Sequence, residues 1–144
     1  MARSSPEDMF PPGTDPLEDL GIGVGCFTAE ATAVYLNSVV CEALGRPREE
    51  LVGKNADELF SPEIVAELHR RIAEVLQLGK PLRHQDKVPL PHGERWFVSV
   101  YSVMEHQDEP RVMVAVTDVT HFRDEQEALI ESEARLQAQL AHAR

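Results

Sequence analysis

The sequence predicts an α+β domain from which a C-terminal helix projects, and three observations predict it. Two short strand-like runs, 22–28 and 31–36, come first, and a helical block with one long amphipathic segment follows them. Three more strand-like runs come next. The last of these passes through Asp118-Val119-Thr120 into a charged, heptad-like helix that reaches the final residue. A helix that leaves a sheet in this way cannot bury its own apolar stripe, so it is expected to offer that stripe to a partner.

Length and charge bound the possibilities. With 144 residues and 42% hydrophobic content, the chain holds one modest core plus an extension. Its net charge of −11, from 14 basic and 25 acidic residues, repels a phosphate backbone or an anionic bilayer, so neither nucleic acid nor a membrane surface is an expected partner. The longest nearly uninterrupted apolar run, Phe97 to Met104, falls far short of the ~20 residues a membrane helix needs. The first residues lack the apolar segment of a secretory signal. Cys26 and Cys41 have neither metal-ligand nor redox-motif spacing. A reducing cytoplasm is therefore expected, with both thiols acting as small buried fillers.

The elements follow in order. Residues 1–14 are rich in Pro, Gly and charge without apolar periodicity, and read as a flexible leader. Asp15-Pro16 reads as an N-cap followed by proline at the first helical position, opening a short helical turn through Leu17 and Leu20 that could dock on the sheet. The runs 22–28 and 31–36 are separated by Ala29-Glu30, the spacing of a tight hairpin. In the first run Gly23, Gly25 and Phe27 share one face and Ile22, Val24 and Cys26 the other. The glycine face is nearly bare at its start and can accept a close neighbour.

Short helices are predicted at 38–44, stopped by Gly45, and at 47–51, stopped by Gly53, with a turn around Asp57 to Phe60. Ser61-Pro62-Glu63 has the form of a helix start: an N-cap serine, a proline at the first position and an acid in the first turn. Ile64, Val65, Leu68, Ile72, Val75 and Leu76 then recur at helical spacing until Gly79. Strands are predicted at 82–89, 95–104 and 111–117, with turns at Pro91-His92-Gly93 and Gln107 to Pro110. Both alternating sets of the second of these are apolar, so both faces of the sheet must be covered there.

This order resembles a PAS domain, and particular residues carry the resemblance. Asn37 follows the second strand as in that family's strand-Asn-helix step. Leu44-Gly45-Arg46 and Arg48-Glu49-Glu50-Leu51-Val52-Gly53-Lys54 match its two glycine-punctuated turns. Gly93-Glu94-Arg95-Trp96 matches its Gly-x-Arg-Trp hairpin, and Asp118-Val119-Thr120 its Asp-Ile-Thr exit motif. The resemblance implies a five-stranded antiparallel sheet with helices on one face, often around a ligand pocket, and signals leaving through the C-terminal helix. It divides the chain into a leader (1–14), a PAS domain (15–120) and a linker helix (121–144).

Family chemistries can be checked residue by residue. The light-sensing branch needs a cysteine in its Asn-Cys-Arg motif, and this chain has Asn55-Ala56-Asp57, so a covalent flavin adduct at Ala56 is not expected. The branch that carries a thioester chromophore needs a cysteine near Phe60 to Glu63, where none stands. Haem-binding members use a histidine on the long helix, which makes His69 the candidate axial ligand. His69 falls about 80° from the centre of the apolar face, however, where a helix-edge residue touching solvent is the plainer reading. His84 could face either the pocket or solvent, and a strand histidine at a sheet face is the plainer reading. His121 directly follows the exit motif and reads as the first turn of the helix.

The glycines of Gly21-Ile22-Gly23-Val24-Gly25 lie inside a strand and lead to another strand, so they do not form a dinucleotide loop. No catalytic motif occurs in the chain.

By analogy with the family, Arg95, or another nearby base, is expected to pair with Asp118 and tie the exit motif to the sheet, so that Arg95, Trp96, Asp118 and Thr120 transmit the signal. In the exit helix Phe122, Leu129, Leu136 and Ala143 form one stripe, and Val119, Gln126, Glu133 and Leu140 form its companion. At about three heptads this is a weak coiled coil, suited to a linker whose packing must switch. The expectation is a cytoplasmic homodimeric sensor module, non-enzymatic itself, that responds to a small ligand or partner and acts on an effector such as a two-component histidine kinase. Two alternatives stand beside it: a ligand-free interaction and dimerisation module, and a haem or flavin sensor.

Overall fold

The computed structural model describes residues 16–90 and 93–143. Its elements are α1 (Pro16–Asp19), β1 (Gly23–Thr28), β2 (Ala33–Leu36), α2 (Ser38–Leu44), α3 (Arg48–Leu51), α4 (Ala56–Leu59), α5 (Pro62–Leu78), β3 (Leu82–Leu90), β4 (Gly93–His106), β5 (Glu109–Asp118) and α6 (Thr120–His142). The strands form one five-stranded sheet in the order β2-β1-β5-β4-β3, and β1 runs antiparallel to both β2 and β5. The expected leader, the Asp15 cap and the turn residues at 91–92 lie outside the described residues.

Contacts divide the chain into two compact units. Among the described residues, one holds those up to His84 together with Ser99–Thr117, and the other holds those of 85–98 and 118–143. The first unit contains two apolar clusters. The larger joins α5 to the strands through Phe27, Leu36, Leu51, Leu68, Ile72, Val75, Tyr101, Val112 and Val114. The smaller joins Val24, Cys26 and Tyr35, with Leu17, Met104 and Met113 packed against them. The period of two along a strand explains the division. In β1, Phe27 belongs to the first cluster and Val24 and Cys26 to the second; in β4, Tyr101 and Val103 belong to the first and Met104 to the second. Both cysteines are buried, and burial pushes the Cys26 thiol up to about 11 against the pull of Arg111.

The bare glycine face is filled by the chain itself. A Cβ on Gly25 would meet the Phe27 ring at 2.9 Å, and one on Gly23 would meet Val40 of α2 at 3.1 Å. Asn37 fixes this arrangement. Fully buried, it donates from Nδ2 to the Ile22 carbonyl (2.8 Å) and accepts at Oδ1 from the Val24 N–H (3.0 Å) and the Val40 N–H (3.3 Å). One side chain thus caps α2 and completes the backbone bonding of β1.

Three local expectations are corrected. The β1–β2 connection is longer than a two-residue hairpin, because Ala31 adopts φ 67° and Thr28 bonds Thr32 across it. Where a turn was expected around Asp57, Asn55 and Glu58 form a reciprocal capping box and start the short helix α4. Ser61 takes the extended N-cap conformation but makes no side-chain capping bond, so Pro62 marks the start of α5 instead. The far end of α5 is as expected, with Gly79 at φ 68° donating its N–H to the Val75 carbonyl.

Candidate functional site

The exit motif is a small bonded latch between the first residues of β4 and the first turn of α6. Asp118 ends β5, and α6 begins two residues later at Thr120. Asp118 Oδ2 accepts from the Arg95 guanidinium at 2.8 and 2.9 Å, while Oδ1 accepts from the Thr120 N–H at 2.9 Å. The carboxylate therefore satisfies one of the unpaired donors at the helix start and places negative charge at the positive end of the helix dipole. The Trp96 N–H donates to Thr120 Oγ1 at 2.8 Å, and the Val119 N–H donates to the Trp96 carbonyl at 2.8 Å. Arg123, one turn into α6, stacks its guanidinium 3.7 Å from the centroid of the Trp96 ring.

Electrostatics favour the ionised latch. Partial burial works against the charge on Asp118, but hydrogen bonds from Thr120 and Arg95 together outweigh it and hold the carboxyl below the usual carboxylate value. An exposed ion pair alone contributes about 0–1 kcal/mol. Here the same carboxylate also holds a helix start, and the half-buried cation–π contact of Arg123 on Trp96 adds about 0.5–2 kcal/mol.

Arg95, Trp96, Asp118 and Thr120 are thus brought together. Arg123 is the member of the latch that sequence reasoning missed; its spacing, three residues after Thr120 and so on the same side of the helix, was the available signal. Beyond the latch, α6 is uncovered. Phe122, Leu129, Leu136 and Leu140 are all more than half exposed, as is Ile130, which neither predicted stripe contained. His121 lies in the first turn of α6, 3.0 Å from Glu125. His69 stands at the edge of α5 with its Nε2 3.3 Å from Asp57 Oδ1, and Ala56 is buried at the start of α4.

A second polar group lies within the first unit. Arg71 of α5 is buried, and its guanidinium carbon is 6.0 Å from the centroid of the Tyr101 ring. His84 of β3 packs edge-on against the same ring at 5.9 Å. His84 packs against Tyr101 with its Nε2 buried. Arg71 is not among the residues expected from the sequence, although its position between Leu68 and Ile72 on the apolar face of α5 marks it as a charge within a buried stripe. No group of three His, Cys, Asp or Glu residues among the described residues could hold a metal ion. No described helix is long and apolar enough to cross a membrane.

Comparisons with known proteins agree with this architecture. A family profile described as PAS fold matches residues 17–124. The fold is similar to that of a domain of an HTR-like protein from Haloarcula marismortui, with 20% identity, a TM-score of 0.62, and coverage of 69% of this chain and 99% of that one. It is also similar to a sensory box sensor histidine kinase from Vibrio cholerae, with 21% identity, a TM-score of 0.61, and coverage of 73% and 86%. A third similar structure is the PAS domain of the RpfR quorum-sensing receptor from Cronobacter turicensis in complex with BDSF, with 19% identity, a TM-score of 0.57, and coverage of 69% and 95%. No curated protein matches the sequence significantly.

Proposed function

The chain belongs to the PAS fold family, and on that premise we propose that it is a sensory and regulatory module whose output leaves through α6. In this reading it works in the cytoplasm as a homodimer, responds to a small ligand or a partner, and passes the change to an effector domain, with a histidine kinase as the leading effector class. The observation that carries the proposal is the latch. Asp118, Arg95, Trp96, Thr120 and Arg123 bind the start of α6 to β4, while the rest of that helix leaves five large apolar side chains exposed. A helix held firmly at its start and uncovered along its length is suited to changing its pairing when the strand beneath it shifts. The similar structures from a sensor histidine kinase and a quorum-sensing receptor are in keeping with such a role.

The test is a fusion of the chain, through α6, to a histidine kinase domain. Asp118→Ala and Trp96→Ala should each shift autophosphorylation while circular dichroism stays native. Unchanged kinase activity in both variants would sink the transmission role. A ligand-free interaction module is the second reading, favoured by the way Phe27 and Val40 fill the glycine face of β1. Native mass spectrometry separates the two, because a small molecule retained on the purified chain supports sensing.

A further inference from the structure

Four sulfur-bearing side chains stand among the described residues, Cys26, Cys41, Met104 and Met113, and three of them meet in the smaller apolar cluster. The strand order explains the meeting. β5 lies between β1 and β4, Cys26 of β1 is paired directly with Met113 of β5, and Cys26 Sγ is 4.0 Å from Met104 Sδ of β4. Residues opposite one another on neighbouring antiparallel strands carry their side chains on one face, with Cβ atoms about 4.5–5.5 Å apart. The thiol and both thioethers therefore share one patch of the sheet, on the face away from α5. Cys26 is fully buried, whereas both methionines are half-buried, so the group is reached past their thioethers. Apolar packing by itself does not call for methionine, and the larger cluster is filled without any.

We infer that Cys26, Met104 and Met113 form a binding site for a soft monovalent metal ion, copper(I), with the Cys26 thiolate and the two thioethers as its three ligands. Thiolate and thioether donors select copper(I). Zinc completes its shell with histidine, carboxylate or further cysteines, and calcium and magnesium need oxygen ligands. No histidine, carboxylate or second cysteine joins this cluster among the described residues. A metal–thiolate bond of about 2.3 Å sets two sulfurs of a trigonal site about 4.0 Å apart, the separation that Cys26 and Met104 already have. Met113, unbranched and flexible, can swing its sulfur to the third position. Arg111 is the charge that acts on Cys26. Binding replaces the thiol proton, which passes to solvent, and the copper(I) thiolate is neutral, so Arg111 does not repel the complex. The net charge of −11 favours the approach of a cation. The site goes beyond the sensory reading and does not depend on it.

The experiment offers the full chain copper(I) as its bathocuproine disulfonate complex, under anaerobic reducing conditions, and follows transfer by the loss of the complex's colour. The chain should take up one copper(I) per molecule, and X-ray absorption at the copper edge should show three sulfur ligands. Cys26→Ser should abolish the transfer. Cys41→Ser should leave it unchanged, because Cys41 is buried in the larger cluster with its Sγ towards the Leu36 carbonyl. Even an outer partner of a bound metal is worth about 10- to 100-fold in affinity, so losing a thioether in Met104→Leu or Met113→Leu should weaken binding by at least about tenfold. Both replacements conserve volume in an apolar cluster, so they test the site even if Cys26→Ser fails to fold. A chain that takes no copper from the complex, or one whose uptake is unchanged in both methionine variants, would overturn the site.

Discussion

The two long helices of this chain differ in composition and meet opposite fates. In α5 the apolar residues recur at helical spacing, and Leu68, Ile72 and Val75 are buried against strands of the same molecule. In α6, which is longer, Thr120 is the residue classed as buried, while Phe122, Leu129, Ile130, Leu136 and Leu140 remain exposed. The difference teaches that burial needs both a strong apolar face, which α5 has and the mostly polar α6 lacks, and a surface that the chain itself supplies. For α5 it supplies a sheet. For α6 it supplies a latch at one end and leaves the stripe beyond that end exposed.

The largest break in this comparison is expected inside α5. Ile72→Ala should cost about 2–5 kcal/mol in urea denaturation. Leu129→Ala in α6 should stay within about 0.5 kcal/mol for the monomer. Equal losses at the two sites would erase the distinction between the helices. Next comes Asn37→Ala, which strands the buried Val24 N–H and removes the α2 cap; a loss of about 1–3 kcal/mol is expected by the same titration. Asp118→Ala should be smaller, about 1 kcal/mol, and confined to the latch. Hydrogen exchange should show faster amides in the first turn of α6 and unchanged protection in α5.

The smallest effect is that of pH. The folded-state carboxyl of Asp118 titrates below its ordinary value, so its contribution is present above the unfolded value of about 3.9 and is lost as pH falls through the folded one. Following the Trp96 fluorescence in acid should show the latch loosening there in the wild type and no such step in Asp118→Asn.

Much of the fold was legible because its signals are local. Gly45 and Gly79 stop helices by adopting the left-handed conformation, and the alternation in β1 and β4 sorts side chains onto two faces. Asn37 and the Arg95–Asp118 pair were reached through resemblance, and the structure supplies their bonds. What was not legible depends on residues far apart in sequence. Ala31 is driven to positive φ by a loop whose carbonyl must also meet Ala56. Arg71 and His84 acquire meaning only when α5 and β3 place them around Tyr101. Arg123 joins the latch because the first turn of α6 carries it over Trp96. Ile130 sits outside a strict seven-residue count, although its exposure falls within the range of the stripe residues.

If α6 pairs as proposed, α5 is completed by its own chain and α6 by a second copy. Sedimentation equilibrium of the chain, beside a Leu129→Glu/Leu136→Glu variant, tests it most directly. The account predicts a wild-type dimer and a monomeric variant whose urea denaturation is unchanged. A wild-type chain that stays monomeric at every concentration, or a variant that still dimerises, would contradict it.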